Sequence, residues 1–162
     1  MSHFLAPNNG CSASNKATSI VSGSYTTNAP TIALGAAIGG LIGGPPGGFA
    51  GAVIGSFFGV GGTASYVPSS NSLYAGPTLV VGLGVGGGSG AGANAVTVPA
   101  GQNPNSIANG PSYSLTYQPL PFLGSTVVRS PGSGPPVVGP SVGTRIPVSG
   151  GVSYNVCVTG CC

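Results

Sequence analysis

Residues 17–128 contain no charged side chain. Over all 162 residues there is no Asp or Glu, and Lys plus Arg number 3. Ordinary soluble domains carry about 25% charged residues, which help keep them dispersed. A chain this neutral, with 41% hydrophobic residues, is expected to cover its surface with copies of itself, a lipid bilayer or a larger assembly. The content of 32 Gly and 16 Pro does not by itself imply disorder, because disordered chains are typically polar and highly charged.

The missing carboxylates also exclude chemistry. Without them there is no paired-acid glycosidase, no Ser-His-Asp triad, no acid to hold a nucleotide's magnesium and no EF-hand calcium cage. His3 is the only imidazole, so the many hydroxyls and Cys157 lack a base to activate them. Lys16, Arg129 and Arg145 are too sparse for a nucleic-acid footprint. Gly82, Gly84 and Gly87 match G-x-G-x-x-G. No helical pattern follows and no acid lies about 20 residues on, so a dinucleotide site is rejected. The expectation is a protein that is not an enzyme, with no cofactor, metal, small-molecule substrate or nucleic-acid partner. Acid unfolding works mainly by protonating paired carboxylates. Stability is therefore expected to stay nearly flat from about pH 7 to about pH 2, apart from His3 and the termini. Thermal melts across that range check this, and a steep acid loss contradicts it.

The cysteines are Cys11, Cys157, Cys161 and Cys162. They suit disulfides in an oxidising compartment, with the pairing left open. Cys161 and Cys162 are neighbours and are expected to bond elsewhere rather than to each other. A zinc site with His3 lacks any recognised ligand spacing. Met1 to Pro7 has neither the basic start nor the apolar run of a secretory signal. An exported form would then use another route or be cut from a longer precursor. The expected place is the cell exterior or the envelope, associated with membrane.

Three segments follow from the pattern. Residues 1–31 read as a flexible polar lead. Residues 32–62 carry an unbroken column of Gly35, Gly39, Gly43, Gly47, Gly51, Gly55 and Gly59 at a spacing of four. The next column is also small, with Ala36, Gly40, Gly44, Gly48, Ala52 and Ser56, and the remaining two hold Leu, Ile, Val and Phe. On a helix this gives one smooth face and one apolar face. The segment resembles the glycine zippers of membrane-associated and self-assembling proteins. That resemblance implies helix packing by close backbone approach. Pro45 and Pro46 interrupt a single helix, so a hairpin of helices at 32–44 and 47–60 is expected. Each arm would be about 20 Å long, short of the roughly 30 Å hydrocarbon core of a bilayer. The helical glycines outside the turn together cost about 6 kcal/mol of helix propensity. Such a hairpin must fold against lipid, a second copy or the rest of the chain; a Gly-rich loop or buried core segment is the alternative.

Residues 63–162 change to two-residue alternation. Leu79, Val81, Leu83 and Val85 share one side, as do Tyr113, Leu115 and Tyr117, and Val152, Tyr154, Val156 and Val158. Residues 125–129 and 142–148 are weaker strands, with Pro147 marking an edge or bulge. The opposite faces carry mainly hydroxyls and glycine. The fold class expected is therefore α+β: an N-terminal glycine-zipper hairpin followed by an antiparallel β module with long Gly/Pro loops. Strands of about six to eight residues would be short for a transmembrane barrel, which needs about 9–11. Two functions fit. One is a non-enzymatic, self-associating envelope or exterior protein whose hairpin packs in or at a membrane and oligomerises. The other is an extracellular subunit that assembles into a fibre or coat.

Overall fold

In a computed structural model, which describes residues 15–83, 87–144 and 147–160, the strands close into a barrel. The strands are β1 (Thr18–Thr27), β2 (Phe58–Val67), β3 (Ser72–Gly82), β4 (Gly90–Val98), β5 (Gly110–Leu120), β6 (Leu123–Arg129), β7 (Val137–Gly143) and β8 (Val148–Thr159). Their order around the wall is β1-β2-β3-β8-β5-β6-β7-β4, with β4 returning to β1. Every pairing is antiparallel. The expected α+β arrangement is thereby overturned. The β elements are not a module after a hairpin. Strand β1 precedes the hairpin, inside the segment expected to be a flexible lead, and the hairpin is an excursion between two neighbouring staves.

Strand lengths correct a second expectation. β1 and β2 have 10 residues each, β3 and β5 have 11, and β8 has 12. The strands run through glycines and prolines that break the two-residue alternation. Gly76 and Pro77 continue β3 without interruption, and a Cβ on Gly76 would meet the Tyr154 carbonyl of the neighbouring β8. Strands in such barrels tilt by about 35–45°, so ten residues at about 3.3 Å each climb roughly 25 Å.

Two ends differ. At one end, β1 leaves into helix α1 (Ala29–Gly55). At the other, a short 3-10 turn (Pro68–Ser70) and helix α2 (Pro104–Ala108) cap the barrel. Beneath this cap lies the apolar core, which includes Ile20, Val67, Tyr74, Val96, Val98, Ile107 and Val137. Asn105 ties the cap down. Its Oδ1 accepts from the Ser70 hydroxyl at 2.8 Å and from the buried Tyr74 hydroxyl at 2.9 Å. Leucine at this position would leave both donors without that acceptor. Asn105→Leu is expected to cost about 2–4 kcal/mol of stability, read from the shift in denaturant midpoint.

Candidate functional site

Glycine placement decides how α1 folds. The helix breaks at Gly44, whose φ of 62° and ψ of −155° lie outside the helical region. A residue before proline avoids the helical conformation, and this backbone geometry suits glycine alone. Pro45 and Pro46 then occupy the first turn of the second arm, where a missing N–H is tolerated. The arms, Ala29–Gly43 and Pro45–Gly55, run about 22 Å and 16 Å.

The glycine column turns back upon itself. A Cβ on Gly35 would overlap the carbonyl of Gly51, and one on Gly39 would overlap the carbonyl of Gly47. Gly55 stands in the same relation to the carbonyl of Thr31. Gly48 packs on Ala36 and Gly40 from the neighbouring small column. Gly43, at the tip, has nothing within 4 Å of such a Cβ. Gly59 is not helical: it opens β2 and abuts the backbone of Gly88. The second arm thus stops at Gly55, short of the expected residue 60, because β2 has begun to pair with β1 and β3. The root is stitched by polar groups. Thr31 Oγ1 lies 2.8 Å from the Asn28 carbonyl and 2.7 Å from that of Phe58, and Asn28 Nδ2 donates to the Ser56 carbonyl at 3.3 Å.

With the small faces turned inward, the bulky ones turn out. Leu34, Leu41, Ile42 and Phe49 are 62%, 88%, 84% and 76% exposed. A groove of about 620 Å³ runs along the hairpin to the barrel, lined by Leu34, Ile38, Ile42 and Ile54 and ending on Phe58 and Leu79. By length and composition, residues 29–55 are apolar enough to cross a membrane, with mean hydropathy 1.3. Folded at Gly44, neither arm alone reaches across the roughly 30 Å hydrocarbon core.

The outer face of the barrel wall is apolar, and its inner face mixes polar side chains with the apolar core. Val21, Tyr25, Leu79, Tyr113, Leu115, Tyr117, Val142, Val152, Tyr154 and Val156 all point outward and are exposed. The inward positions of the same strands hold Ser65, Thr78, Ser112, Thr116, Gln118, Thr126, Ser141, Ser149 and Asn155, all buried. Hydroxyls meet across strands at register partners: Ser22 with Ser65 at 2.8 Å, Ser112 with Ser153 at 2.7 Å, and Thr116 with Thr126 at 2.9 Å. Each pair satisfies part of its own hydrogen-bonding need, which makes a hydroxyl interior affordable in energy. Among the described residues, the charged side chains are Lys16 and Arg129. Both lie toward the capped end, away from the hairpin.

Cys157 is disulfide-bonded. Cys11, Cys161 and Cys162 lie outside the described residues, as do Arg145 and His3. No group of three or more metal-ligating side chains occurs among the described residues. The polar lumen was signalled in the sequence by the regular Ser/Thr alternation opposite the apolar side chains.

No family model matches the chain, and no curated protein matches it. Among solved structures, it is similar to the virulence-associated protein VapB from the intracellular pathogen Rhodococcus equi. That match has 12% identity, covers 87% of this chain and 98% of the other, and has a TM-score of 0.44. A cyan fluorescent protein from Discosoma striata, dsFP483, gives 10% identity over 62% of this chain and 89% of its own, with a TM-score of 0.16. At these values neither likeness supports an argument about function.

Proposed function

We propose that this is a non-enzymatic, self-associating protein of the cell envelope or exterior, whose apolar wall and hairpin are covered by lipid. The supporting observation is the polarity of the barrel wall: Tyr, Leu and Val stand exposed on its outer face, while hydroxyls and amides share the inside with the apolar core. Water does not favour an uncharged apolar surface of this extent, whereas a bilayer does. The wall height of roughly 25 Å matches the apolar band of membrane barrels. The groove joins wall and hairpin into one apolar surface, so lipid that takes one also meets the other. Vesicle flotation tests the reading. Protein refolded with anionic or neutral vesicles is expected to float with them and to resist extraction by high salt. Protein that stays in the soluble fraction, monodisperse, overturns it.

One observation favours the second reading, a fibre or coat subunit. The strand order is not a simple meander: β3 to β4, β4 to β5 and β7 to β8 each cross the ends of other strands. Membrane barrels are typically up-and-down. Among the described residues, closure also leaves no free strand edge, so copies would pack wall against wall rather than add strands. Electron microscopy in lipid-free buffer separates the two, since ordered filaments or sheets support the coat.

A further inference from the structure

We infer that the barrel lumen is a binding site for a small cluster of ordered water molecules, held between hydroxyls and unpaired amide oxygens. A central chamber of about 60 Å³ lies inside the wall, lined by hydroxyls such as Ser114 and Thr63 and by the amides of Asn94 and Asn155. A second chamber of about 20 Å³ lies toward the hairpin end, lined by Gln118 and Ser141 among others. Ser24, Asn94 and Thr116 line both, so the two are neighbours on one axis.

An independent observation points to the occupant. Asn94 Oδ1, Asn155 Oδ1, Gln118 Oε1 and Ser141 Oγ are buried and have no hydrogen-bond partner among the described residues. Asn155, Gln118 and Ser141 are only 4%, 5% and 5% exposed. Buried polar atoms are costly when unpaired, and native structures pair them with protein or with water. Three of these four atoms are amide oxygens, which accept only, so the missing partner must donate. The space limits it further. About 60 Å³ has room for roughly two to four water molecules, and the upper chamber for about one. A bare cation would also satisfy the oxygens, but the described lumen supplies no negative charge to offset its desolvation. Below the central chamber the apolar core around Val67, Val98 and Ile107 closes the barrel, so the hydrated column is a dead end.

This site is independent of what covers the outer wall. Oxygen-17 magnetic relaxation dispersion on the folded protein, in detergent or in buffer, counts long-lived internal waters. On the order of two to five are expected. Asn155→Leu and Ser114→Val fill the central chamber with methyl groups, and each is expected to lower the count by at least one. If Asn155→Leu does not fold, Ser114→Val alone decides. No long-lived water in the wild type, or an unchanged count in Ser114→Val, overturns the assignment.

Discussion

Arginine at Leu115 or Val152 is expected to detach the protein from vesicles while leaving the barrel folded. Both side chains point outward, at 56% and 46% exposure. They sit on the neighbouring staves β5 and β8, within the stretch where those strands pair with each other. If lipid covers this wall, the guanidinium must enter the hydrocarbon near mid-height. That costs about 2–4 kcal/mol in membrane barrels, a roughly 30- to 1000-fold loss of partitioning. The barrel itself loses nothing, since neither residue contributes to the lumen. Thr116→Val, one residue away but inward, is the matched control. It removes a hydroxyl from the Thr126 pair and leaves the outer surface alone, so flotation should persist even if stability falls by about 1 kcal/mol. The pattern to look for is outward substitutions moving partitioning and inward ones moving stability. Leu115→Arg that floats like the wild type places the wall outside the bilayer.

The strand pattern was legible, but its polarity was not. Alternation at Tyr113, Leu115 and Tyr117 marks two faces of β5 and says nothing about which is inside. Burying the apolar face is the usual assignment. Here it holds only for part of the inner face, where Ile20, Tyr74, Val80, Val96 and Val98 are buried. Elsewhere the inward positions carry Ser and Thr that pair across strands, a choice that alternation alone does not reveal. Barrel closure was hidden for a different reason. It depends on β1 at Thr18–Thr27 bonding to both β2 and β4, and its sequence, TSIVSGSYTT, reads as polar coil when taken alone. The hairpin was more readable, because the four-residue glycine spacing and the Pro pair are local signals. What the spacing could not give was the partner. The same column suits a second molecule or its own other half, and the break at Gly44 brings Gly35 to Gly51 and Gly39 to Gly47 within one chain.

That distinction carries the other large expected effect. Gly39→Leu should open the hairpin, and Gly43→Leu should not. At Gly39 a side chain would collide with the Gly47 backbone, which cannot rotate aside as a flexible side chain can. The arms must separate, and the close contacts along Gly35, Gly47 and Gly51 go with them. Isolated helices of 11–15 residues are marginal in water, and these are rich in glycine. Most of the helical circular dichroism of residues 29–55 is therefore expected to disappear from Gly39→Leu in lipid-free solution. The barrel signal should remain, because β1 and β2 hold their register through Thr27 and Val60 without the hairpin. Gly43 lies at the open tip. Leucine there removes a helix-weakening glycine and should raise helicity slightly, by up to about 1 kcal/mol. If the column instead served to dock a second chain, the arms would not be in contact in the monomer. Gly39→Leu would then keep its helix at low concentration and lose only association. Helicity against concentration for the two variants separates these cases, because arm-to-arm packing within one chain makes the Gly39→Leu loss independent of dilution.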